Sequence, residues 1–236
     1  MGKKYKAKLC VYCGQRPSNC GDHVVAREFF LVHRRHRLPQ APACNQCNRE
    51  KSELEHYLTA VLPFGGRHQD AATNLSVMVP KRLQHNAKLG AHLEEGYTGE
   101  KLPLKSGQVE NLFVFIAKGL LWHHWQSVLG SEDCAAATVL RPDGDAPLHR
   151  TLAMLKPRNR VNVDLGAGTL IYEGLQTIDS PQSSLWRFLI YGGLCFAEES
   201  RHPGVKSSLI FAVTGPKALL PTFWSTVFGS KLDAAS

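Results

Sequence analysis

At 236 residues the chain is long enough for one large domain or two small ones, and a hydrophobic content of 43% belongs to a globular protein, not a disordered one. The formal net charge of +8 points to an anionic partner. The longest apolar run, near residues 112–122, is interrupted by Lys118 and ends in His123-His124, too short and polar for a bilayer span, so no membrane partner is expected.

The charge is uneven. Residues 1–60 hold 11 Lys/Arg against 5 Asp/Glu, and the remainder 17 against 15, so the excess belongs to the N-terminal quarter. A phosphate backbone is the expected partner of that excess. Lys3, Lys4, Lys6 and Lys8 form a basic lead-in with no apolar segment behind it, which does not fit a secretory signal. The expected location is cytoplasmic. The seven cysteines then read as thiols and metal ligands, not as a disulfide framework.

In chain order, Cys10 and Cys13 form a tight CxxC turn, followed by Gly14 for the positive φ that such turns often need. Residues 22–32, rich in Val and Phe, suit a short strand or hairpin. Residues 33–37 form a polar, basic loop, and Pro39 and Pro42 keep the chain extended up to Cys44. From Asn45 to about Val61, Leu54, Leu58 and Val61 recur at helical spacing, and Gly65-Gly66 ends the helix. A second helix of mixed polarity is expected over 81–95. The turn-rich stretch 96–107 reads as a domain boundary.

Residues 109–129 form a long apolar helix. Beyond it come strands at 134–140, at 161–163 leading into 169–172 through a Gly166-Ala167-Gly168 hairpin turn, at 185–197 and at 208–214. A turn at 200–204 separates the last two. The expected organisation is α+β throughout. Residues 1–62 form a cysteine-clamped module, 63–107 a helical linker region, and 108–236 a C-terminal α+β domain with one long helix on a mainly antiparallel sheet.

Two CxxC pairs, Cys10/Cys13 and Cys44/Cys47, supply four soft thiolates, enough for a closed tetrahedral site. Structural zinc is the default ion, and an iron–sulfur cluster is the formal alternative. Cys20 lies near the first pair, but the CxxC spacing favours Cys10 and Cys13. Cys134 and Cys195 sit in apolar runs and read as core residues. His123 and His124 diverge by about 100° on a helix and do not face a common ion.

The pattern CxxC…Asp22-His23-Val24…CxxC-Asn48-x-x-Lys51-Ser52 resembles the zinc-bound branch of the HNH endonuclease superfamily, over residues 10–58. The resemblance implies a ββα-metal fold, in which a β-hairpin and a helix grip one divalent cation. Carried over by position, His23 is the general base, and Asp22 and Asn48 are ligands of a catalytic Mg²⁺ or another divalent cation. The residue types suit that chemistry. A neutral imidazole is a good base near neutral pH, and a hard cation takes carboxylate and amide oxygens. Asp22 and His23 would point to opposite faces of a regular strand, so a twist or bulge is expected there.

Arg49 and Lys51 would contact phosphate, although Lys51 and Glu55 at i, i+4 would equally form an ion pair on a solvated helix face. Arg34, Arg35 and Arg37, in the loop with His33 and His36, would add backbone contacts. His56 reads as a helix-surface residue. One departure stands out: the family's bracing Asn falls here near Pro39-Gln40, where Gln40, or Asn45 from another direction, would stand in.

The function implied is metal-dependent hydrolysis of DNA phosphodiester bonds, with RNA also open as substrate. The rival is a zinc-stabilised nucleic-acid-binding or assembly module whose nuclease site is degenerate. A third arrangement is an effector of a bacterial or phage conflict system, a nuclease restrained by its C-terminal domain or by a partner; the candidate protein partners are a second copy, as a homodimer, or a regulatory protein.

Overall fold

The computed structural model describes residues 5, 7–84, 86, 87, 89–91, 107–140, 157–178, 180–195, 208–221 and 224. Lys3, Lys4 and Lys6, the boundary stretch up to residue 106, the end of the expected helix over 81–95, and the turn at 200–204 lie outside the described residues.

Two short strands, β1 (Cys20–His23) and β2 (Gln40–Ala43), pair antiparallel with Cys20 opposite Ala43 and His23 opposite Gln40. One residue later comes helix α1 (Asn45–Val61). The element order is therefore ββα. The register is unbroken through Asp22 and His23, so of the expected twist or bulge the bulge does not occur. The strand expected over 22–32 stops at His23, and the chain continues through 3-10 turns at Arg27–Phe29 and Val32–Arg34. Val24, Val25, Ala26, Phe29 and Phe30 are all buried. A strand would have turned alternate members of that run outward, whereas tight turns bury nearly all of it.

After a 3-10 turn at Leu62–Gly65 come α2 (Gln69–Thr73), one π turn (Asn74–Met78) and α3 (Val79–Gln84). Helix α4 (Gln108–Trp125) follows. It ends four residues before the expected Leu129, because Gln126 turns left-handed at φ 56° and its N–H closes on Trp122. The apolar residues of α4 cover more than one face, and the helix is packed from both sides. It lies against α1 and β2 on one side and against the sheet strands β3 (Asp133–Leu140) and β7 (Leu209–Pro216) on the other. At Gly119 the approach is so close that a Cβ would sit 2.7 Å from Val24 Cγ1.

The sheet is wholly antiparallel, in the order β3-β7-β6-β5-β4, with β4 at Asn159–Leu165, β5 at Leu170–Gln176 and β6 at Ser184–Ile190. The β4–β5 hairpin turns through Gly166, Ala167 and Gly168, all at positive φ, as the glycine spacing predicts. β6 ends sooner than expected because Tyr191, Gly192 and Gly193 all take positive φ. Alternation along β6 and β7 divides the side chains. Trp186, Phe188, Ile190, Ile210 and Ala212 face the α4 core, while Leu185, Leu209, Phe211 and Val213 join a second cluster with Leu220 and Trp224.

The main hydrophobic cluster runs from Cys10, Val24 and Phe29 through α1 and α4 to Phe188 and Ala212. The N-terminal module and the C-terminal sheet thus share one core, and the core does not divide at the expected boundaries. The physical reason is α4, whose two apolar faces are buried by the two parts. Among the described residues no helix is long and apolar enough to cross a membrane.

Candidate functional site

The two CxxC pairs meet. The Sγ atoms of Cys10, Cys13, Cys44 and Cys47 all lie within 4.8 Å of one another. A tetrahedral zinc with bonds of about 2.3 Å sets its sulfurs roughly 3.8 Å apart, so the four cysteines fit a structural zinc. The first turn is closed by Gly14 N–H donating to Cys10 O at 2.9 Å and Cys10 N–H donating to Arg16 O at 2.8 Å. The second pair opens α1, where Cys44 is the N-cap and Cys47 lies in the first turn, a position where the helix dipole favours negative charge.

Burial opposes ionisation of Cys13, yet backbone N–H groups of Arg16 and Gln15 and the Arg16 side chain outweigh it and bring the thiol down to about 6. Burial pushes Cys10 and Cys47 upward. Such thiols need a cation if all four are to be held as thiolates. Cys20 stands apart from the quartet, its Sγ donating to Ala43 O at 3.5 Å.

The cluster pins the first cysteine turn to the start of α1, and Asp22 and His23 of β1 meet α1 at Lys51. His23 is half-buried, and Gln40, its partner across the hairpin, places an amide nitrogen 3.1 Å from the imidazole Nε2. Of the two residues expected to brace the base, Gln40 is the one in contact with it. Burial, reinforced by the Arg27 guanidinium, lowers the His23 pKa and so favours the neutral ring. The amide's two ends differ by one rotation. With nitrogen facing the ring, Gln40 donates to Nε2; with oxygen facing it, Gln40 accepts Nε2–H and leaves the Nδ1 lone pair to take a proton.

Asp22 points to the α1 side. Its Oδ2 accepts from Tyr12 Oη at 2.5 Å and lies 3.0 Å from Lys51 Nζ. Lys51 also donates to His23 O at 2.8 Å and to Glu55 Oε1. Burial, against the pull of Lys51, raises Glu55 to about 7. The ring of Tyr12 is held by an edge contact with Phe115 of α4, and burial beside Asp22 drives its hydroxyl pKa well up.

This corrects the role expected for Lys51. Its side chain is 0% exposed and turned inward, so it does not present its charge to a phosphate at the surface. The Glu55 pair expected at i, i+4 does form, but buried. Asn48 lies one turn before Lys51 on α1, half-exposed, and its side chain makes no hydrogen bond among the described residues.

The basic residues separate into two groups. Arg34 is a tie within the chain: its Nη1 lies 3.0 Å from Asp70 Oδ2 and donates to Gly166 O at 2.8 Å, linking the N-terminal loop to α2 and the β4–β5 hairpin. Asp70 is buried and also accepts from Thr169 Oγ1 at 2.6 Å. Arg35 donates through Nε to Phe30 O at 3.1 Å, so it too is turned onto its own loop. Arg37 is exposed at the left-handed φ of 54°, and Arg49 is 84% exposed beside Glu53. Of the five expected nucleic-acid contacts, Arg37 and Arg49 therefore remain at the surface.

His33, His36 and His56 are exposed. His123 and His124 do not share a ligand position, since the His124 Nε2 meets Tyr172 Oη at 2.9 Å. Sequence reasoning missed Tyr12, whose reach to Asp22 has no local signature, and the Arg34–Asp70–Thr169 network, whose members are separated along the chain. Glu55 was legible only as the i+4 partner of Lys51. Comparison of the chain with protein-family models, with curated proteins and with solved structures finds no match to any of them.

Proposed function

We propose that the chain is an HNH-type endonuclease that hydrolyses phosphodiester bonds of DNA, with His23 as the general base. The observation that carries this reading is a half-buried imidazole on the β1–β2 hairpin, paired with the Gln40 amide and adjoining a carboxylate directed at α1. A cysteine quartet that fits zinc ties the first cysteine turn to the start of α1, the helix whose Lys51 meets both Asp22 and His23.

With Gln40 turned to accept Nε2–H, His23 Nδ1 removes the proton from an attacking water, a role worth about 10²–10⁴ in rate. Asp22 and Asn48 carry the oxygen donors that suit a hard divalent ion such as Mg²⁺: a carboxylate, and an amide free of other hydrogen bonds among the described residues. Bound there, the ion supplies Lewis-acid polarisation of the phosphoryl group and neutralises charge on the leaving oxygen. Arg49 and Arg37, exposed on the same module, bind backbone phosphate.

The testing experiment is plasmid nicking by zinc-loaded protein with Mg²⁺ or Mn²⁺ added, wild type beside His23→Ala. Cleavage that depends on the added ion and falls at least a hundredfold in the variant supports the reading. Equal cleavage by both proteins removes His23 from the chemistry. A second reading, a zinc-stabilised nucleic-acid-binding module, is favoured by the engagement of Asp22 with Lys51. It expects DNA retention in EDTA with no nicking under any divalent ion.

A further inference from the structure

Lys51 is a wholly buried cation at the centre of the candidate site. A buried ammonium is tolerated where each N–H finds an acceptor, and Lys51 finds three: Asp22 Oδ2 at 3.0 Å, His23 O at 2.8 Å, and Glu55 Oε1. All three are hard oxygens, the donor type that divalent cations take. Tyr12 donates to the same Asp22 oxygen at 2.5 Å, so that atom is fully engaged by the chain's own donors.

The lysine is not free to drift away. It sits one turn beyond Cys47, whose thiol belongs to the quartet that pins the start of α1 to the first cysteine turn. Its stem is packed out of solvent. Two cations within bonding reach of one carboxylate repel each other strongly in so dry a place.

We propose that Lys51 is a tethered competitor for the divalent ion at Asp22. In the resting chain its ammonium supplies the positive charge between β1 and α1, and a divalent ion binds Asp22 only against that charge. This rests on the reading of Asp22 as an ion ligand. It makes ion binding to the resting chain weak, and it makes Lys51 a positioning residue that never touches the reacting phosphate.

The test is Mn²⁺ binding to full-length, zinc-loaded protein, followed by the electron paramagnetic resonance of free Mn²⁺. Mn²⁺ prefers oxygen ligands and leaves the thiolate site alone. Four proteins are compared: wild type, Asp22→Asn, Lys51→Met and the double variant. The expected result is that Lys51→Met binds one Mn²⁺ at least about tenfold more tightly than wild type, and that Asp22→Asn in the same background abolishes the gain.

Lys51→Met leaves Asp22 and Glu55 without their cation and could unfold in ion-free buffer. In that case added Mn²⁺ is expected to restore its cooperative thermal transition while the wild-type melting temperature stays fixed. Failure of Mn²⁺ to do so overturns the proposal. Wild type binding Mn²⁺ as tightly as Lys51→Met overturns the competition and leaves Asp22 as a ligand. Binding that ignores Asp22→Asn in both backgrounds overturns the ligand reading and the competition together.

Discussion

Replacing Gly14 with alanine places a Cβ 2.2 Å from the carbonyl oxygen of Leu129, more than an ångström inside ordinary contact. The obstacle is backbone, so no side-chain rotation relieves it. Either the segment after α4 moves or the first cysteine turn does. Gly14 also lies at φ 64°, where a side chain costs about 1–2 kcal/mol. Overpacking of this kind adds about 1–3 kcal/mol. Together about 2–5 kcal/mol is a large share of a domain's usual 5–15 kcal/mol.

For a chain of this size that lowers the melting temperature by roughly 4–20 °C. The assays are a thermal melt of zinc-loaded protein and the rate at which a chelator strips the metal, because distortion of the Cys10–Cys13 turn should speed release. Gly90→Ala is the control: nothing lies within 4 Å of its added Cβ, so the effect there is neutral or slightly stabilising. A Gly14→Ala protein that melts within a degree of wild type and holds its metal as long would refute the argument that the segment after α4 braces the metal turn.

Two further outcomes are expected. Burial, with a lesser push from His123, brings His124 down from 6.5 to about 4. The unfolded chain therefore binds the extra proton first, and stability present above pH 6.5 is lost as pH falls through about 4. His124→Gln should flatten that part of the pH–stability curve; the comparison with wild type cancels metal loss in acid, and unchanged curves would show that His124 is not the group. Arg34→Met leaves Asp70 buried without its cation and should destabilise by about 3–5 kcal/mol in denaturant titrations. Arg37→Ala and Arg49→Ala should leave the titration unmoved but weaken DNA binding and reduce its salt dependence, by about one counterion each; the opposite pattern would reverse the division between structural and surface arginines.

Much of the local structure was legible because its causes are local. The helix from Asn45 to Val61 follows from apolar spacing and the turn residues that flank it, and its bounds agree with the structure. The Gly166-Ala167-Gly168 hairpin follows from residues that tolerate positive φ. The long helix was read correctly in kind but ran four residues short, since Gln126 carries no signal for its left-handed turn. The 3-10 turns after His23 were misread because a Val- and Phe-rich run suits a strand unless both of its faces are to be buried. α2 is five residues long and leaves no periodicity to detect.

The residues by themselves determined the four-cysteine cluster, since CxxC spacing points paired thiols at one place, while the ββα order was an expectation of the family resemblance. They also determined the placement of a candidate base next to a candidate ligand. Only the tertiary structure decided which way the charges point. Lys51 suited a phosphate contact or a solvated ion pair equally well by spacing, and it became a buried counter-ion because α1 packs that face onto β1. Arg34 became a tie to the sheet because the β4–β5 hairpin and Asp70 come to it from more than 130 and about 35 residues away in the chain. Spacing along a chain describes one element's own faces. What those faces meet is set by α4, whose two apolar sides draw the cysteine module and the sheet into a single core.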